Sequence, residues 1–225
     1  MINTLVSVGM SCQTTHQIHL AVDQSTSAAH NISVQKGPFD WLICPLESAC
    51  HWLDSGLESF EPEAIVDERD HAFWPQFDFW FWHGFYQKSG SLKHLDVAGT
   101  MERERSKLTY QREQFSSIDP ETTLFVWSNC QNNLSTDVFA ENELGRIRLT
   151  EQGRNRLQAS LDHYFTRTCK LIFVTRTDRA DPAVLDFNNV YAVAEEPSEW
   201  KGDRKQWQKL LNTAFDQFVC GNSNN

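Results

Sequence analysis

Cys12 is the residue whose surroundings best suit chemistry. In the stretch TLVSVGMSCQTTHQIHL, an apolar β-branched run from Thr4 to Gly9 gives way, at the cysteine, to a pattern that fits a helix. A thiolate at a helix N-terminus is stabilised by unsatisfied backbone N–H groups and the positive end of the helix dipole, and the same donors can hold an oxyanion. Such a thiol could act as a nucleophile. The structural alternative is a small buried hydrophobe under the first helix, the usual fate of a free cysteine. A third possibility is a metal ligand, because Cys12, His16 and His19 follow each other at helical spacings of four and three. That triplet has no evident fourth ligand, so no metal and no cofactor is expected.

A nucleophilic cysteine needs a base brought near it in space. Among the eight histidines, His83 is the best placed. It ends the aromatic run FDFWFWHGFY and precedes Gly84, which lets another backbone or a substrate approach. A core histidine packed among Trp80, Trp82 and Phe85 is the alternative, and His94 with Asp96 beside it is the reserve. Asp40 of PFDW could share the site, or could use its carboxylate to cap backbone N–H groups of the following segment. Arg112 could hold a substrate carboxylate or phosphate, or could pair on a charged helix face. The eight tryptophans are mostly core, with Trp41 and Trp82 the candidates to line a pocket for a sugar ring or an aliphatic chain.

Four blocks then belong together: SVGMSC, GPFDWLICPLESA some thirty residues later, WHGF after the aromatic run, and YQREQF before TTLFVW. In that order and spacing they resemble the bacterial DUF1796 family of papain-like cysteine peptidases, whose members carry SLGxxC, PFDW, HDF and a helix bearing tyrosine and arginine. The resemblance covers about the first 130 residues. It implies Cys12 as nucleophile, His83 as base and Asp40 as a polar member of the site. Two departures matter. Gly84 stands where the family has a carboxylate after the histidine, leaving Asp40, Asp78 and Asp96 to compete for orienting His83. Trp127 stands in a strand position where the family tends to carry arginine.

The elements that must position these residues alternate. TLVSVG reads as a buried strand, and Cys12 to Val22 as a helix with Ser11 as its N-cap. Pro45 to Leu53 is a helix with proline in its first turn and Gly56 near its end. Residues 58 to 78 look irregular. Residues 100 to 117 form a charged surface helix, TTLFVWSN a strand, Thr150 to Thr166 a helix, KLIFVT and NVYAVA strands, and WKGDRKQWQKLLNTAFDQFV an amphipathic helix. This rhythm predicts an α/β fold, a single domain over residues 1 to 220 layered on a mostly parallel sheet flanked by helices, with a polar tail GNSNN. Ligands of such folds sit beyond the carboxyl ends of strands, which is where Cys12 lies.

Composition narrows the function. A chain of 225 residues that is 40% hydrophobic can bury a full core. A net charge of −10 disfavours nucleic acid or an anionic membrane as the main partner. No run suits a membrane span or a secretory signal, and six cysteines without CxxC spacing fit free thiols in the cytoplasm. The expected activity is a thiol-dependent hydrolase or acyl transferase acting on a small-molecule, peptide or glycan substrate. The alternatives are a nucleotide-sugar or polysaccharide-modifying transferase, for which DxD, GxGxxG and GxxxxGK[ST] are all missing, and a non-catalytic binding protein of the same fold.

Overall fold

A computed structural model of the chain describes residues 2–22, 32–89, 92–195 and 200–220. Its centre is a five-stranded parallel sheet built from β1 (Thr4–Ser7), β2 (Ser33–Val34), β8 (Thr123–Ser128), β9 (Lys170–Arg176) and β10 (Val190–Val193), in the order β10-β9-β8-β1-β2. The register sets Leu5 opposite Leu124, Leu124 opposite Lys170, and Val174 opposite Tyr191. The expected α/β layering on a parallel sheet is therefore what the chain forms.

Both faces of this sheet are covered, and that is why β8 and β9 are almost continuously apolar. On one face, Leu5, Leu124, Val126, Ile172 and Val174 pack against α1 (Cys12–Ala21) and α5 (Arg204–Cys220). The helix α5 meets them with Trp207, Leu210, Leu211, Ala214 and Phe215, a stripe at the i, i+3, i+4, i+7, i+8 spacing. Each large side chain so buried stabilises the fold by about 1.5–3 kcal/mol. On the other face, Val6, Val8, Phe125, Trp127, Leu171 and Phe173 pack against a second layer. It contains α2 (Leu46–Asp54), α4 (Glu151–Phe165) and a small antiparallel sheet of β3 (Val66–Glu68), β4 (His71–Trp74) and β5 (Phe79–Phe81). A hairpin of β6 (Tyr86–Ser89) and β7 (Leu92–Leu95) leads into α3 (Val97–Ser116), whose N-terminus Asp96 caps by accepting from the Gly99 N–H.

The helices fall within a few residues of their expected bounds. Pro45 precedes α2 as its N-cap, and Thr150 caps α4 through its side chain. The region from 58 to 78 differs from expectation, because β3 and β4 pair across a two-residue turn at Arg69 and Asp70. Both turn residues have positive φ, 55° and 61°. A turn of that kind is ordinarily announced by Asn-Gly or Gly-Gly, and neither is present, so nothing local marks the hairpin. Among the described residues no helix is long and apolar enough to cross a membrane. Five cysteines, Cys12, Cys44, Cys50, Cys130 and Cys169, are free and buried. The tail GNSNN lies outside the described residues.

Candidate active site

Counted within the parallel sheet alone, the strands run 2-1-3-4-5, so the chain leaves β1 toward β2 on one side and later returns to place β8 on the other. The gap between the carboxyl ends of β1 and β8 is the topological switch point, the place where doubly wound sheets bind ligands. Several contacts pin the backbone there. Gly9 takes φ +104°, a value L side chains rarely adopt, while the Met10 N–H donates to Ser128 and its carbonyl accepts from Cys44. Ser11 follows in extended conformation and Cys12 begins α1. Ser11 is the N-cap residue by backbone geometry, as expected, but its buried hydroxyl makes no capping hydrogen bond.

Cys12 is 1% exposed. Burial pushes its thiol up to about 12, against the smaller favourable effect of its own backbone N–H, and the nearby Asp40 carboxylate pushes it further in the same direction. The thiol is protonated at neutral pH in this arrangement. Asp40 is 5% exposed and sits in the turn Gly37–Trp41, where its Oδ2 accepts from the Gly37 N–H and its Oδ1 from the Thr15 hydroxyl of α1. The carboxylate thus caps the residue three positions before it, and not the following segment. Burial raises it to about 6, opposed by those two hydrogen bonds and by the charges of Lys36 and Lys107. Trp41 next to it holds φ 65°, a strained value for a bulky side chain.

Beyond Asp40 opens a narrow cleft of about 20 Å³, enough for one water-sized group, lined by Pro38, Asp40, Trp41, Gly84, Glu104 and Lys107 among others. Its walls come from the PFDW turn, the WHGF turn and α3, so three of the four sequence blocks meet there. The α3 wall is Glu104, Lys107, Leu108 and Gln111, one helical face. Glu104 pairs with Lys107 at 3.7 Å and with Arg103 at 2.8 Å. Had residue 84 a Cβ, Glu104 Oε2 would lie 3.5 Å from it. A carboxylate from α3 therefore stands beside Gly84.

His83 is on the outside of this turn. It is exposed, with its ring edge-on to Trp41 at 5.5 Å between centroids. Lost hydration on the packed side, together with the charges of Lys93, His71 and Lys107, holds its pKa below the usual value, so the imidazole is neutral at pH 7. No hydrogen bond joins His83 to Cys12, and Asp40 is the charged group that acts on the thiol. The carboxylates considered for orienting His83 are engaged elsewhere: Asp78 with Arg146, Asp96 at the start of α3, and Asp40 as described. His94 is exposed on β7.

The remaining candidates scatter. Trp41 lines the Asp40 cleft, whereas Trp82 is half-buried and stacks on His71 at 3.7 Å. Arg112 faces a separate recess with Gly56, Thr109, Glu113, Ser116 and Ser117, because it lies one residue past the Gln111 face of α3. Trp127 is fully buried against Phe173. Among the described residues no group of three or more His, Cys, Asp or Glu side chains is placed to hold a metal ion, and Cys12, His16 and His19 do not make one.

Sequence reasoning missed the support on the β8 side. Arg179, 4% exposed, donates to the carbonyls of Asn129 and Gln131 at 2.6 Å, to the Asn132 carbonyl and the Ser135 hydroxyl at 3.0 Å. Burial brings this guanidinium down to about 10. Gln131 in turn accepts from the Gln13 N–H of α1 at 3.1 Å. Their partners are dozens of residues away in the chain, so no local pattern announces them. Family models, curated proteins and solved structures give no match to the chain.

Proposed function

We propose that the chain is a thiol-dependent hydrolase or acyl transferase of the bacterial cytoplasm, in line with its resemblance to the DUF1796 family, with Cys12 as nucleophile. The observation that carries this reading is the position of Cys12 as first residue of a helix at the switch point of a doubly wound sheet, next to a buried carboxyl. Buried free thiols support a reducing compartment.

The resting thiol is protonated and covered, so the mechanism begins with substrate opening the Asp40 cleft. Water admitted with the substrate relieves the burial that dominates the Cys12 and Asp40 shifts. The neutral His83, carried by the turn that packs on Trp41, then takes the thiol proton as sulfur attacks the substrate carbonyl and a C–S bond forms. The Cys12 N–H holds the developing oxyanion, since the next two first-turn N–H groups of α1 donate to Gln131 and to the Ser11 carbonyl. His83 returns the proton to the leaving group, and water or an amine or hydroxyl acceptor displaces the thiolate. Asp40 and Trp41 border the substrate channel, with Glu104 and Lys107 on its far wall.

Iodoacetamide labelling with peptide mapping tests this reading without a known substrate. Because the resting thiol is covered, the labelling is run in urea below the unfolding transition, where Cys12 is expected to label faster than the buried Cys44, Cys50, Cys130 and Cys169, and His83→Ala to slow that labelling with the circular dichroism spectrum unchanged. Labelling of Cys12 no faster than that of Cys44, and indifferent to His83→Ala, would return Cys12 to the role of a core residue.

A further inference from the structure

A serine at an N-cap normally turns its hydroxyl onto the N–H of the second or third helical residue. In α1 those two donors go elsewhere. The Thr14 N–H donates to the main-chain carbonyl of Ser11 at 3.1 Å, and the Gln13 N–H to Gln131 Oε1 at 3.1 Å. Ser11, fully buried, keeps a hydroxyl with no partner. The amide of Gln131 is oriented from both ends. Its Nε2 donates to Asn133 Oδ1 at 2.7 Å, which leaves Oε1 facing the helix, and its own carbonyl is held by Arg179. Gln131 is 2% exposed.

The chemistry of the cap is specific. Helix N-termini favour carboxylates, yet α1 has no acidic residue in its first turn. A carboxylate there would face a thiol that already has Asp40 beside it. An amide oxygen satisfies the N–H without adding negative charge.

We propose that Gln131 is a positioning residue for Cys12: it caps α1 across the switch point in place of Ser11, tying the cysteine to the loop after β8 with a neutral acceptor. The groups that face this N-terminus are Asp40 from the loop after β2, and Gln131 with Arg179 behind it from the β8 and β9 sides. The consequence for catalysis rests on the thiol reading above; the capping does not.

Three variants of the full chain separate the possibilities, each followed by thermal melting and by the pH profile of Cys12 labelling. Gln131→Leu removes the acceptor and should lower Tm by about 2–6 °C, while Ser11→Ala, which removes a hydroxyl without a partner, should leave Tm unchanged. Gln131→Glu keeps the acceptor for the Gln13 N–H but loses the donor to Asn133 and buries a charge, so it too should lower Tm, and unlike Gln131→Leu its charge should slow labelling of Cys12 at pH 8 by about threefold or more. Ser11→Ala as damaging as Gln131→Leu, or a Gln131→Glu profile that superimposes on that of the unmodified protein, would overturn the proposal. If Gln131→Leu does not fold, the Gln131→Glu profile and the Ser11→Ala melt still decide it. Labelling of Cys12 in urea below the unfolding transition that is no faster than that of Cys44 counts against the thiol reading alone, since the melting comparison is independent of it.

Discussion

The parallel sheet and the small antiparallel sheet of β3, β4 and β5 are both packed with apolar side chains, but they are held by different means. At the carboxyl edge of the parallel sheet the backbone is fixed by polar groups in directed contacts: Arg179 on successive carbonyls, Asn129 on Ile147 and Arg179, and Gln131 on Gln13. The small sheet has only three short strands, and what holds it is aromatic packing. Trp74 alone meets Trp52, Phe60, Phe77, Phe79 and Phe81. Its turns force Arg69, Asp70 and Asp78 into positive φ without a glycine. The comparison teaches where precision resides in this molecule. Cys12 belongs to the directed region, His83 to the edge of the aromatic one, and Asp40 is the residue in contact with both sides, through Thr15 of α1 and through the cleft it shares with Gly84.

The largest effect should come from Trp74→Ala, which empties the centre of the aromatic layer and should destabilise the protein by about 3–5 kcal/mol. The aromatic layer and one face of the parallel sheet form a single buried cluster, so urea unfolding followed by tryptophan fluorescence and by circular dichroism should stay coincident in the variant. Separate transitions would show the small sheet to be an independent unit. Trp74→Phe sharpens the point: the indole N–H has no partner, so losing it removes a buried unsatisfied donor and should cost far less than the alanine change.

How much of this was legible beforehand follows the same division. The parallel sheet and its helices announce themselves, because TLVSVG, TLFVWS and KLIFVTR are buried on both sides and α5 carries an unbroken apolar stripe. The turn placing Cys12 at a helix start was legible for the same reason. Of the aromatic region, the run FDFWFWHGFY reads as a buried strand or tightly packed segment and holds β5, but its pairing into hairpins was not legible, since alternation there is swamped by aromatics facing both ways and the turns lack their usual residues. Within the site, PFDW and WHGF could be read as blocks that meet, and they do meet at one cleft. That Asp40 faces Thr15 and Gly37, that His83 stays outside, and that Gln131 caps α1 depend on chain segments brought together only by the fold.

A smaller effect separates the site's central carboxyl from both regions. Asp40 titrates at about 6 in the folded protein and near 3.9 when unfolded, so between those values the folded state holds the extra proton. Stability should therefore be greatest on the acid side of this window and fall as pH rises through it, by up to ~3 kcal/mol, other groups held equal. Asp40→Asn, which cannot titrate, should lack this part of the pH dependence, so that the difference between the two proteins' stabilities changes across the window, measured by urea unfolding at pH 4 to 7. The same change removes the carboxylate beside Cys12 and should bring its labelling midpoint down. A variant whose stability runs parallel to that of the unmodified protein across the window would show that Asp40 is hydrated in solution.

The smallest expected effect tests the strained turn of the aromatic region. Asp70 occupies the second position of the two-residue β3–β4 turn with φ 61°, and its side chain is exposed. Its carbonyl accepts from the Tyr86 hydroxyl at 2.7 Å, a contact that uses main chain alone and survives replacement. A non-glycine residue in the left-handed region costs about 1–2 kcal/mol, a penalty glycine does not bear, while the greater freedom of glycine in the unfolded chain takes back part of the gain. Asp70→Gly should therefore stabilise the protein by about 0.5–1 kcal/mol, raising Tm by roughly 1–4 °C. The corresponding change at a directed position of the other region, Gln131→Leu, is expected to act in the opposite sense although it too alters one exchangeable side chain. If Asp70→Gly lowered Tm, the backbone at this turn would not be held at positive φ in solution, and the strain assigned to the turns of the aromatic sheet would be absent.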